Sequence, residues 1–314
     1  MRTPKSIAAA FLAAVLTLIA APAASASSDL PVPWTAADAV AAQLRNPDGS
    51  PPGANDFSCR PSAAHPRPVV MLHGLSANQT VNWNTYSPLL KNNGYCVFSL
   101  TYGKNGLGLP IYQPGGLKPM PESAQQVAAF VDKVLAATGA SKVDILGHSE
   151  GTLMPSYYVK FLGGASKVDK YVSLTPLWEG TTLLGLSQLY QAGKVIGLSQ
   201  LIDGVLSPAC GSCTQFLSGS DFLKELHSGN GIFQPGVSYT NILTRYDELV
   251  IPYTNGLGKG PNVRNIVLQD TCALDVAEHL GLAFDRNAAG HILNALDPAH
   301  AKPVPCRPAS ILGS

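Results

Sequence analysis

The stretch ILGHSEGTLMP at residues 145–155 holds one serine inside Gly147-His148-Ser149-Glu150-Gly151. A serine hydroxyl is a poor nucleophile until a base takes its proton and a third group orients that base. Glycines on both sides allow a sharp turn from strand to helix with neighbouring backbone passing close. The pattern is short enough to arise by chance, so its weight depends on its surroundings. A Val-Asp-Ile-Leu run precedes it and a helix-like stretch follows.

If Ser149 is a nucleophile, an acid and then a base should follow it in the chain. Asp247 closes YTNILTRYD (239–247) at the C-terminal edge of an expected strand, where catalytic groups gather in open α/β sheets. Asp270 ends the next expected strand and is the main competitor. Asp221 falls in an insertion, Asp275 lies beyond the strands, and Glu248 should point away if Asp247 ends its strand. The histidines after Asp247 are His279, His291 and His300. His279 follows a strand-loop and opens an apolar LGLAF stretch, so it is the expected base. An oxyanion would need two preorganised donors. The backbone N–H of Glu150 and that of Leu75, in the HGL loop at 73–75, occupy the required positions. His73 is then structural, Gly74 lets the loop approach, and His148 has no acid–base work.

The elements that must position these groups alternate in type. Residues 68–75, 95–103, 142–148 and 170–176 read as buried strands, and 239–247 and 263–270 resume the pattern. Residues 83–94, 122–139 and 150–164 between them read as helices, the second ended by Gly139. Residues 277–285 and 291–298 also look helical, and 27–68 looks like loop. Strand–helix alternation predicts an α/β fold with a mostly parallel sheet and helices on both faces. Residues 27–314 read as one domain, because no linker or composition shift divides them. From Trp178 to Pro235 the alternation breaks. Two gapped apolar stretches there, 183–193 and 195–206, suggest a helical cap that offers apolar residues to a site; an ordinary helical layer on the sheet is the plainer alternative.

Composition narrows the function classes. The chain has 314 residues, 46% hydrophobic and 13% charged, with net charge +1. That is enough for a sizeable core, and it lacks the basic balance that a nucleic-acid partner needs. The first strand is not followed by G-x-G-x-x-G, so no nucleotide cofactor is expected. Arg2 and Lys5, an apolar run from Ile7, and Ala24-Ser25-Ala26 make residues 1–26 read as a secretory signal peptide. The run is too short for a comfortable membrane span, so a stable anchor is not expected. Export into an oxidising compartment would make the six cysteines three disulfides out of 15 possible pairings. Proximity suggests Cys210–Cys213. Cys272–Cys306 would tie down the tail, leaving Cys59–Cys96 to clip the N-terminal arm to an early strand. The rival reading of Cys210-Gly211-Ser212-Cys213 as a metal or redox site lacks a second ligand pair, and no metal is expected.

With these residues in view, the chain resembles a secreted actinobacterial-type lipase, class 2 lipase-like, of the α/β-hydrolase superfamily. The resemblance rests on VVMLHGL (69–75), VDILGHSEGTLMP (143–155), YDELVIPY (246–253) and EHLGL (278–282). It implies Asp247 over Asp270 and His279 over His291. Where many relatives carry Gln after the serine, this chain carries Glu150, which leaves the backbone N–H intact but puts a carboxylate beside the site. The implied activity is ester hydrolysis through an acyl-enzyme, on triacylglycerols or other esters at an oil–water interface. A short-chain esterase, polyesterase or acyltransferase would use the same groups. A non-catalytic binding protein would lack one of them, and the sequence holds them all.

Overall fold

Apolar runs too short for helices make six parallel strands in the computed structural model, which describes residues 29–182 and 208–310. They are β1 (Val69–Leu72), β2 (Val97–Ser99), β3 (Val143–His148), β4 (Val168–Leu174), β5 (Ser238–Leu243) and β6 (Val263–Val267). Their order across the sheet is β2-β1-β3-β4-β5-β6. β1 and β3 are buried along their whole lengths, as strands covered on both faces must be.

Alternate side chains of β1 feed two separate cores. Val70 and Leu72 join Ile145 and the buried faces of α4 (Met120–Thr138) and α5 (Glu150–Phe161). Val69 and Met71 point the other way, to Trp83 of α2 (Gln79–Trp83), Leu90 of α3 (Tyr86–Asn92) and Ile292 of α8 (Arg286–Leu296). The remaining helices are α1 (Ala36–Arg45), α6 (Asp221–His227) and the single turn α7 (Leu268–Thr271). Gly139 ends α4 in the left-handed region, at φ 74°, a backbone conformation that glycine adopts without strain.

Several expectations change in detail: the strand expected at 263–270 ends at Val267, and Asp270 lies in α7. α1 lies inside the stretch read as loop; Thr35 caps it, its side chain accepting from the Asp38 N–H. The helix expected at 83–94 is the shorter α3, and a further helix, α2, capped by Asn78, precedes it. The helix expected at 277–285 is only a 3-10 turn at Gly281–Phe284. β5 stops at Leu243, and the next residue, Thr244, donates its hydroxyl to the Ala277 carbonyl at 2.7 Å. Asp247 therefore sits on the loop after β5. The apolar stretches 183–193 and 195–206 lie outside the described residues.

The structure joins Cys59 to Cys96, Cys210 to Cys213 and Cys272 to Cys306. The first links the N-terminal arm to the residue before β2, across a sequence separation of 37. Chain-entropy reasoning assigns about 4 kcal/mol to closing a loop of that length. Replacing both cysteines by serine should lower Tm by roughly 5–15 °C, measured by calorimetry under oxidising conditions. An unchanged Tm would show that the arm is held without the crosslink.

Candidate functional site

Ser149 follows β3 directly and caps α5 with φ 54° and ψ −122°, an unfavourable conformation for a non-glycine residue. Its N–H donates to the Leu174 carbonyl at the end of β4, at 3.0 Å. The glycines explain how the chain makes this turn. A Cβ on Gly147 would lie 2.1 Å from the Gly151 carbonyl oxygen, and a Cβ on Gly151 would lie 2.0 Å from that of Leu72. No side chain fits at either place. Gly74 approaches from the loop after β1, where an added Cβ would meet the Ser149 Cβ at 3.2 Å.

The loops after β5 and β6 bring two more expected residues together. His279 Nδ1 lies 2.9 Å from Asp247 Oδ1 and 3.0 Å from Oδ2, and both side chains are almost fully buried. The carboxylate is fixed in turn: its Oδ1 accepts from the N–H groups of Leu249 at 3.1 Å and Val250 at 2.7 Å. Glu248 accepts from the His279 N–H at 3.2 Å, so it holds the backbone of that histidine. Ser149, His279, Leu75 and Glu150 line one cavity of about 290 Å³, with apolar walls from Leu177, Phe216, Leu249 and Val250. The competitors lie elsewhere. Asp270 pairs with Arg245, His291 Nε2 contacts Thr271 Oγ1 at 3.3 Å, and His300 pairs with Asp297. An imidazole whose Nδ1–H is held by a carboxylate presents Nε2 as a base, and its charged form is stabilised.

Asn82 of α2 is a residue that the sequence does not single out. Its Oδ1 accepts from the Gly74 N–H at 3.0 Å and faces His148 Nδ1 at 3.0 Å. A backbone N–H can only donate, so Asn82 turns its oxygen to Gly74, and a His148 proton on Nδ1 would donate to that same oxygen. The other ring nitrogen of His148 faces the His279 carbonyl at 3.0 Å. A neutral ring has only one N–H, so only one of these two contacts receives a hydrogen. Burial pushes the His148 pKa down to about 3, which keeps the ring neutral near pH 7. The Asn82 Nδ2 is buried without a partner, at a cost of about 1–3 kcal/mol. The same neutral chemistry holds His73, lowered to about 4 by burial. It stacks on Tyr102 and bonds the Gly74 carbonyl through Nδ1 at 2.8 Å.

Glu150 turns its side chain away from solvent and is 1% exposed. Its carboxyl wedges against Gly116, where an added Cβ would lie 2.9 Å from Oε2. Burial pushes its pKa well above the ordinary value of 4.5. Ser212 Oγ lies 3.4 Å from Oε2 and donates to the Gly116 carbonyl at 2.6 Å. A protonated carboxyl can therefore give its hydrogen to that hydroxyl. Because the folded pKa is raised, stability is greatest below the ordinary value and falls as pH rises through the range between the two. Glu150→Gln should consequently raise Tm more at pH 8 than at pH 5, measured side by side with the parent. An equal shift at both pH values would contradict a buried neutral acid.

The strand order, the turn after β3 and the loops after β5 and β6 define an α/β-hydrolase fold. Aspergillus fumigatus lipase B shares that architecture at TM-score 0.60, with 19% identity over 82% of this chain and 57% of the other. The class 2 lipase family matches residues 66–286, and the chain belongs to that family. Triacylglycerol lipases from Pseudarthrobacter phenanthrenivorans and Burkholderia plantarii are each 34% identical over 107 residues, 30% of this chain. The match spans 28% and 25% of those two proteins' lengths.

Proposed function

We propose that this chain is a secreted carboxylic ester hydrolase that acts on acylglycerols through a Ser149–His279–Asp247 triad. The observation that carries the reading is the buried Asp247–His279 hydrogen bond beside a strained serine in one apolar cavity. Ser149 Oγ attacks the ester carbonyl while His279 Nε2 takes its proton. The tetrahedral oxyanion collapses, His279 returns the proton to the departing alcohol, and water attacks the acyl-enzyme by the same route. Asp247 holds the imidazole and stabilises its positive charge. The N–H groups of Leu75 and Glu150 face the oxyanion.

The acyl chain would lie along Leu177, Phe216 and Val250, which suit hydrocarbon better than a polar acid. The similarity of part of this chain to two proteins named triacylglycerol lipase supports acylglycerols as the substrate. The leader-like start of the chain and three disulfides favour secretion. Among the described residues no helix is long and apolar enough to cross a membrane.

Ser149→Ala should lower p-nitrophenyl ester turnover by at least about 10³-fold and abolish labelling by a fluorophosphonate. Full turnover by that variant would refute the triad. An acyl-length series on the parent, with and without an oil–water interface, separates lipase from short-chain esterase: a lipase should prefer long chains at the interface. Asn82 supports the oxyanion loop through Gly74, so Asn82→Ala should cut kcat by about 10–100-fold while KM stays within about threefold. A change confined to KM would remove Asn82 from that role.

A further inference from the structure

A second apolar cavity of about 250 Å³ adjoins the one that holds Ser149. Leu75, Ala77, Asn82, His148 and Leu280 line both, so the second cavity is a side branch that shares these walls with the first. The outer walls of the branch come from Ala36 and Val40 of α1, Val81 of α2, and Ala283 and Phe284. α1 lies outside the stretch matched by the family, residues 66–286. It is fixed in place nevertheless. Gln43 donates to the Ile111 carbonyl at 3.0 Å and accepts from Asn78 Nδ2 at 2.9 Å, and Ala39 packs on Ala283 and Phe284.

We infer that this branch binds the alcohol portion of the ester and gives the enzyme a preference for esters of long apolar alcohols, including glycerides whose alcohol side carries further acyl chains. The inference rests on the proposed triad. The direction follows from the chemistry. The leaving oxygen must face the histidine that protonates it. Leu280, Ala283 and Phe284 lie within the five residues after His279, and the His148 ring that lines the branch sits 5.3 Å from the His279 ring. Leu177, Phe216 and Val250 lie in the other cavity only, which leaves that arm for the acyl chain. Val40 is 53% exposed at the rim, and Ile111 beside α1 is 57% exposed. A chain longer than the branch would therefore continue across apolar surface.

The test uses alkyl butanoates from methyl to octyl, below their solubility limits, with the full mature chain. The parent should show kcat/KM rising about tenfold or more from methyl to octyl, since a few methylenes buried in a pocket discriminate on this scale. Val40→Trp narrows the branch and Val40→Lys places a charge at its rim. Both change an exposed helical position that tolerates substitution. Each should lower the octyl-to-methyl ratio by about tenfold and should leave the octanoate-to-butanoate ratio of methyl esters within about twofold of the parent. A flat alcohol series in the parent overturns the inference while leaving ester hydrolysis intact. So does a proportionate loss on both esters in the variants, or a collapse of the acyl-length ratio in place of the alcohol one. No turnover of any ester by the parent would overturn the triad reading and this inference with it.

Discussion

Backbone meets backbone where the chain turns from β3 into α5, and the rest of the site depends on that contact. The Leu72 carbonyl occupies the space where Gly151 would carry a side chain, and the Gly151 carbonyl does the same to Gly147. Only at that separation can the end of β1 and the start of α5 lie side by side. The close approach forces Ser149 into φ 54° and projects it above the sheet. It also places the loop after β1 next to the serine. Sheet order then matters: β1 and β4 flank β3, so loops from both sides converge on one point.

Around this point the polar groups are kept neutral or paired. Asp247 accepts from two backbone N–H groups and from His279. His148 and His73 are held neutral by burial, which leaves His279 as the cavity histidine with a carboxylate partner. Glu150, a carboxyl directly after the serine, is buried, and that burial raises its pKa and disfavours a negative charge where an oxyanion would develop. Asn82 carries an unpaired buried N–H. Such a group is tolerated when the same side chain supplies a geometry that the site needs.

What the sequence makes legible here is local. Gly147 and Gly151 bracket Ser149 within five residues, and the strand–helix alternation sets the turn in its place. Chain order and position select Asp247 and His279, and the structure brings those two into contact. The contribution of Asn82 depends on Gly74, eight residues away, and on His148, 66 residues away, and no short pattern carries that information. The burial of Glu150 depends on Gly116 and Ser212, from two distant segments. α1 is hidden by the prolines on both sides of it, which make its surroundings read as loop; its cap at Thr35 and the alanines after it are the signal that could reveal it. The helix expected at 277–285 is limited to one turn because Asp285 is extended and caps α8, accepting from the Ala288 N–H.

Ser212, which backs Glu150, lies within the four-residue ring closed by Cys210 and Cys213. That ring is fastened to the segment after β2: Gly211 donates to the Leu117 carbonyl at 2.7 Å, and Asn105 donates to that of Ala209 at 2.8 Å. The wall behind the serine turn is thus completed by oxidative crosslinking, separately from the hydrogen bonding that builds the sheet. Reduction would open that ring and leave Ser212 and Gly211 held to this wall by their hydrogen bonds alone.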